Sequence, residues 1–301
     1  MALQPVPAPI INGTLMKPIL HLNAGVGWSA TKPLCDTLSD VGYAICPNRE
    51  KTTECHVLYY LYDLQNRPEL AEYYWHNTHR HRKLDFVKKD TTLEWYIQYI
   101  KSHIVDTHKG VSDFSNSNLD LPAHFLKEIA PVLEEEFEVT VTTIWRNPVR
   151  RSYSQMSAFY QQKWNDSYQK YPDSISYWRT QLDKSDLGTT DHCSLCPDYV
   201  ELYNNWSSAF KNVYPVIMEE TWEDPSELSD FIGCKIEKMS TNLYFPEQGT
   251  KAPKIDGYKH QWGSDMQDLS EDDLQYGRNQ LNWLYNNFKS KFGRIPESWK
   301  K

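Results

Sequence analysis

Two short stretches carry residue types suited to holding anions. The first, "LHLNAGVGWSATKPL" (20–34), runs an apolar strand into a loop with Gly25 and Gly27, and then into helix-forming sequence. Glycines at these points admit backbone angles closed to other residues and leave room for a ligand. A helix is predicted after Thr31, with Pro33 in its first turn; its amino end and the loop amides would converge on a negative group. The second stretch, "TTIWRNPVRRSYSQM" (142–156), ends a strand at Arg146. It passes through Asn147 and Pro148 into a helix carrying Arg150, Arg151 and Ser154. A guanidinium offers paired donors to phosphate oxygens, and the Ser154 hydroxyl, about two helical turns on, adds another. Two anion sites at one sheet edge suit a ligand with phosphates at two positions, which an ordinary mononucleotide lacks. The Walker pattern of glycine, four residues, glycine, lysine and serine or threonine is not met.

The elements that must position these residues alternate. Strands are predicted at 17–23, 109–115, 138–146 and 212–220, each short and rich in β-branched or aromatic residues. Helical periodicity marks 31–41, 57–77, 91–107, 122–136, 148–165, 198–211 and 271–291. Such alternation predicts an α/β fold, a parallel sheet flanked by helices on both faces, with ligands at the carboxyl ends of strands. In "DLPAHFLKEIAPVLEEEF", Asp120 is placed to cap the helix and Pro122 to sit in its first turn, while Leu126, Ile129 and Leu133 share a face. Residues 183–198 read as a long surface insertion. Residues 1–16, rich in proline, read as a flexible N-terminal arm, and 17–301 as a single domain.

Composition limits the classes of partner. The chain has 301 residues and a formal net charge of −8, which argues against an overall electrostatic footprint for nucleic acid. No apolar run approaches the ~20 residues that span a bilayer. The first residues lack a basic leader with a sustained apolar segment, and the six cysteines form no secreted disulfide framework, so a cytoplasmic setting is expected. No metal site is expected either. In "HNTHRHR" the histidines His76, His79 and His81 sit beside Arg80 and Arg82, which oppose a cation. "DHCSLC" offers only His192, Cys193 and Cys196, short of a closed four-ligand site.

The two anion stretches together resemble the sulfotransferases that use 3'-phosphoadenosine 5'-phosphosulfate, most closely the heparan-sulfate and protein-tyrosine branch. "RNPVRRSYS" fits that family's pattern at Arg146, Asn147, Pro148, Arg151 and Ser154. Residues 199–233 resemble its later run of helix, strand, acidic-aromatic turn and "DP" helix, and "EQGTKAP" (247–253) its closing loop. The resemblance implies a P-loop-like sulfotransferase fold and transfer of a sulfonate group from that nucleotide to a hydroxyl acceptor: a glycan, a tyrosine or a small molecule. It implies that Gly25, Gly27, Trp28, Ser29, Ala30, Thr31 and Lys32 line the 5' end of the donor. Arg146 and Ser154 would bind the 3'-phosphate, with Lys251 on the closing loop, and no metal is required.

One position departs from the family. Where its first loop carries lysine or arginine, this chain has Trp28. A cation there would meet the negative charge that grows on the leaving oxygen, and losing such a contact costs ~10²–10³ in rate. Lys32 is the nearest replacement in sequence; Arg49 or Lys251 are others. If none serves, the chain is a non-catalytic nucleotide- or glycan-binding module on the same fold, with a P-loop kinase as a more distant alternative. The acceptor proton needs a base. The resemblance places a glutamate after the first helix, either Glu54 in "ECH" or Glu50, with His56 as an alternative. Asp113 and Ser115, at the end of a further strand, could contact the acceptor or orient the base.

Overall fold

The computed structural model describes residues 10–11, 14–15, 17–25, 29, 31–47, 55–71, 91–161, 170–184, 197–240, 244–245, 250–251 and 269–300. Along the chain the strands are β1 (Ile10–Ile11), β2 (Thr14–Leu15), β3 (Ile19–Asn23), β4 (Ala44–Ile45), β5 (Gly110–Asp113), β6 (Glu138–Trp145), β7 (Val213–Ile217), β8 (Tyr244–Phe245) and β9 (Thr250–Lys251). The pairs β1–β2 and β8–β9 are small antiparallel ladders. The main sheet runs in the order β4-β5-β3-β6-β7, parallel throughout.

Strand β3 lies at the centre of this sheet and is covered on both faces, as a parallel sheet requires. Leu20 and Leu22 join Val111, Val139 and Val141 under the helices Val57–Asn66, Leu93–Lys101 and Ala123–Glu136. On the other face Ile144 and Val216 pack with Leu34 and Leu38 of the helix Thr31–Asp40 and with Leu228 and Ile232. A third cluster gathers the aromatic residues Trp145, Tyr153, Trp178, Tyr199, Phe288 and Trp299 beyond β6. The α/β reading of the sequence therefore holds.

Several boundaries differ from expectation, each for a local reason. The predicted helix 57–77 breaks at Arg67, which precedes Pro68 and leaves helical angles (φ −145°), as a residue before proline tends to. A separate short helix follows at Pro68–Ala71. Asp120 does not cap the next helix; it closes a 3-10 turn, Asn116–Asp120, and Pro122 takes the N-cap position. Strand β7 stops at Ile217, and residues 218–223 turn helical. The predicted 271–291 helix is two, Glu271–Gln280 and Asn282–Phe292, interrupted at Leu281. The helix Ser174–Lys184 and the two-residue β4 were not anticipated. Gly42 enables the turn into β4: its φ of +70° ends the preceding helix with the Tyr43 amide bonded back to the Leu38 carbonyl at 3.0 Å.

Candidate functional site

The chain leaves β3 for β4 on one side of the sheet, whereas it leaves the neighbouring β6 for β7 on the other. The carboxyl ends of β3 and β6 thus flank a topological switch point, where open α/β sheets bind ligands. Leu22 pairs with Asp113 and Asn23 with Thr142, so β5 and β3 end side by side while β6 runs on to Trp145, past the start of the β3 loop.

The loop after β3 rises from a tightly packed base. The Ala24 amide donates to the Thr142 carbonyl at 2.8 Å. Gly25 does not need the left-handed angles expected of it, since it is absent from the glycines with positive φ. It is needed for space: a Cβ there would stand 2.0 Å from Ile144 Cγ2 and 2.9 Å from Thr31 Cγ2. Ser29 is fully buried, and its Oγ has no hydrogen-bond partner among the described residues. Thr31 opens the helix Thr31–Asp40, with Lys32 half-buried beside it and Pro33 in the first turn. Gly27, Trp28 and Ala30 lie outside the described residues.

Under the loop, a polar relay crosses the sheet. Thr142 donates to Asn23 Oδ1 at 3.3 Å, so its oxygen accepts from His21 Nε2–H at 3.1 Å. The neutral ring has one N–H, which makes Nδ1 the acceptor for Thr140 at 3.0 Å, and Thr140 in turn accepts from Tyr43 at 2.8 Å. Burial pulls the His21 imidazole down to about 3 and pushes the Tyr43 phenol up to about 12, so both stay neutral as the relay demands. The far end of the Asn23 amide, Nδ2, is buried with no partner among the described residues.

At the end of β6 each residue of the Arg-Asn-Pro turn has a separate task. Arg146 Nη1 donates to Ser154 Oγ at 2.9 Å, joining the two predicted anion ligands across eight residues. Asn147 is the N-cap of the helix Pro148–Gln161: its Oδ1 accepts from the amides of Val149 at 3.1 Å and Arg150 at 3.3 Å. Pro148 occupies the first helical position, where a missing N–H costs nothing. The turn is braced from behind. Glu219 accepts from the Asn147 amide at 2.8 Å and from the Trp299 indole at 3.0 Å, and the Tyr199 hydroxyl donates to the Arg146 carbonyl at 3.0 Å. Arg151 is fully buried, whereas Arg150 faces solvent.

At the end of β5, Asp113 and Ser115 are both fully buried. Asp113 accepts from the Tyr96 hydroxyl at 2.9 Å, from the Ser115 amide at 3.0 Å and from the Ser115 hydroxyl. Burial, reinforced by that carboxylate, keeps the Tyr96 phenol protonated well above its ordinary range. Ser115 Oγ accepts from the amides of Cys55 at 2.8 Å and His56 at 2.7 Å. The His56 ring meets Ser117 Oγ at 2.7 Å.

Of the other predicted site residues, Lys251 pairs with Tyr244 in the β8–β9 ladder. Glu50, Glu54, Arg49, the histidines at 76, 79 and 81, and the 192–196 cluster lie outside the described residues. Tyr96, Ser117, Asn23 and Glu219 escaped sequence reasoning. Asp113-x-Ser115 at a strand end was a signal for the first two, while nothing local announced the others.

No family model matches the chain, and no curated protein matches it in sequence. Among solved structures the chain is similar to a sulfotransferase from Alicyclobacillus acidocaldarius, with a TM-score of 0.55 and 13% identity over 96% of this chain and 100% of that one. It is also similar to the sulfotransferase domain of the Synechococcus PCC 7002 olefin synthase, at 16% identity over 90% and 97% of the two chains. With a TM-score of 0.41, that second likeness adds no weight. The five-stranded parallel sheet flanked by helices is an α/β, P-loop-like sulfotransferase fold.

Proposed function

We propose that this protein transfers a sulfonate group from 3'-phosphoadenosine 5'-phosphosulfate to a hydroxyl acceptor. The observation that carries this reading is the Arg146–Ser154 pair at the end of β6, beside the β3 loop at the switch point. The residues present suit such a donor. The Ser154 hydroxyl accepts from Arg146, which leaves its own proton to donate to a 3'-phosphate. The buried Ser29 hydroxyl, without a partner among the described residues, and the amides at the start of the helix Thr31–Asp40 suit the 5' end. When bound, the nucleotide supplies the sulfonate that moves to the acceptor oxygen. The chain's own part is to hold both ends and exclude water, to meet leaving-group charge with Lys32, and to take the acceptor proton with Glu54, Glu50 or His56.

Adenosine 3',5'-bisphosphate is expected to bind, and Arg146→Ala to weaken it about 10²-fold, since hydrogen bonds to charged groups carry ~1.5–3 kcal/mol each. Sulfonate transfer to a panel of glycans, phenols and peptides then identifies the acceptor. Stabilisation by ATP with magnesium but not by the bisphosphate would refute the reading. Trp28 favours a second reading, a non-catalytic nucleotide- or glycan-binding module; binding of the bisphosphate without transfer to any acceptor supports it.

A further inference from the structure

The start of the helix Val57–Asn66 is an anomaly. His56, its N-cap residue, has φ 58° and ψ 8°, and is the one non-glycine residue with positive φ among those described. A side chain with a Cβ pays for that conformation in steric repulsion, which glycine escapes and asparagine tolerates. Histidine there, instead of either, implies that its ring is wanted in place, and strain of this kind gathers at functional sites.

What holds His56 comes from about sixty residues further on. The Cys55 and His56 amides can only donate, so both lone pairs of Ser115 Oγ face them. The Ser115 proton must therefore leave in another direction, and it goes to Asp113. Asp113 completes its set with the Ser115 amide and the Tyr96 hydroxyl. Every donor has an acceptor, and the result is a buried clamp built on β5, the strand next to β3. His56 makes no side-chain cap for its own helix; Ser115 instead holds the two amides that lead into it, and Ser117 holds the ring.

We propose that Ser115, oriented by Asp113 and Tyr96, is a positioning residue for the acceptor side of the site, holding residues 55 and 56 in this left-handed turn so that the His56 ring stands beside the bound donor. This rests on the sulfotransferase reading above.

The test is nuclear magnetic resonance of the His56 imidazole carbon-bound protons, read as adenosine 3',5'-bisphosphate is added. In the wild type the His56 signal is expected to shift on saturation. In Ser115→Ala the bisphosphate Kd stays within twofold, while the His56 shift falls to less than half; Ser115→Thr, which keeps the hydroxyl, restores it. Tyr96→Phe serves as the milder variant if Ser115→Ala does not fold. His56→Gly is expected to melt no lower than wild type, because it removes the strained Cβ, yet to transfer sulfonate at least tenfold more slowly. An undisturbed His56 signal in the liganded wild type, an equal shift in Ser115→Ala, or a lower melting temperature for His56→Gly overturns the proposal. A wild type that does not bind the bisphosphate sinks the sulfotransferase reading itself, a different result from binding that leaves His56 unmoved.

Discussion

Mild acid should loosen this fold through one side chain, His21. Its imidazole lies in the centre of the sheet, fully buried between Thr140 and Thr142, and burial takes it from 6.5 to about 3. Between those values the unfolded chain binds a proton that the folded chain does not, so stability falls as pH falls through the unfolded value. The group contributes its full stability above about pH 7. At 1.36 kcal/mol per unit, lowering the pH from about 7 to about 5 removes about 2 kcal/mol, and the whole displacement amounts to about 5 kcal/mol. The first figure is set by the unfolded imidazole and hardly changes if the folded value moves by a unit. Against a typical native margin of ~5–15 kcal/mol, that loss is easily measured. A charged ring would also donate from both nitrogens, which breaks the relay from Tyr43 to Asn23. Urea unfolding of the wild type and His21→Gln at both pH values isolates the effect, because carboxylates common to the two chains cancel. The wild type is expected to lose about 2 kcal/mol more than the variant. Equal losses would refute the reasoning, since the ring could not then be held neutral by burial.

Two further outcomes follow from the packing behind the anion turns. Gly25→Ala places a Cβ 2.0 Å from Ile144 Cγ2, and such overpacking costs ~1–3 kcal/mol by thermal or urea unfolding; adding Ile144→Ala is expected to recover part of the loss. Glu219→Ala leaves the Asn147 amide and the Trp299 indole without their acceptor. At ~1–3 kcal/mol per buried unsatisfied group, the two groups together predict a stability loss of about 2–6 kcal/mol, with weaker bisphosphate binding because the Arg146 turn loses its brace. A Glu219→Ala chain as stable as wild type would show that the brace contributes nothing.

What the sequence by itself determined was local. The strand, turn and helix at 142–156 follow from β-branched residues, an N-cap asparagine, a proline at the first helical position and a serine two turns on. All of these act within a few residues, and the Arg146–Ser154 bond is a consequence of helical spacing. The parallel sheet was legible for the same reason, as alternation of periods along the chain. Other features had no local sign. Strand β4 has two residues, too few for a pattern, and is a strand only because β5 lies beside it. The break at Leu281 interrupts a periodicity that otherwise runs on. Gly25 matters through Ile144, more than a hundred residues away. Ser115 reaches Cys55 and His56, and Glu219 joins Asn147 to Trp299, only because the order β4-β5-β3-β6-β7 sets particular strand ends side by side. Strand order arises from the packing of helices over both faces at once, and no window of sequence contains it. The turns proposed to hold the ligand were therefore written locally, while the supports behind them came from the tertiary fold.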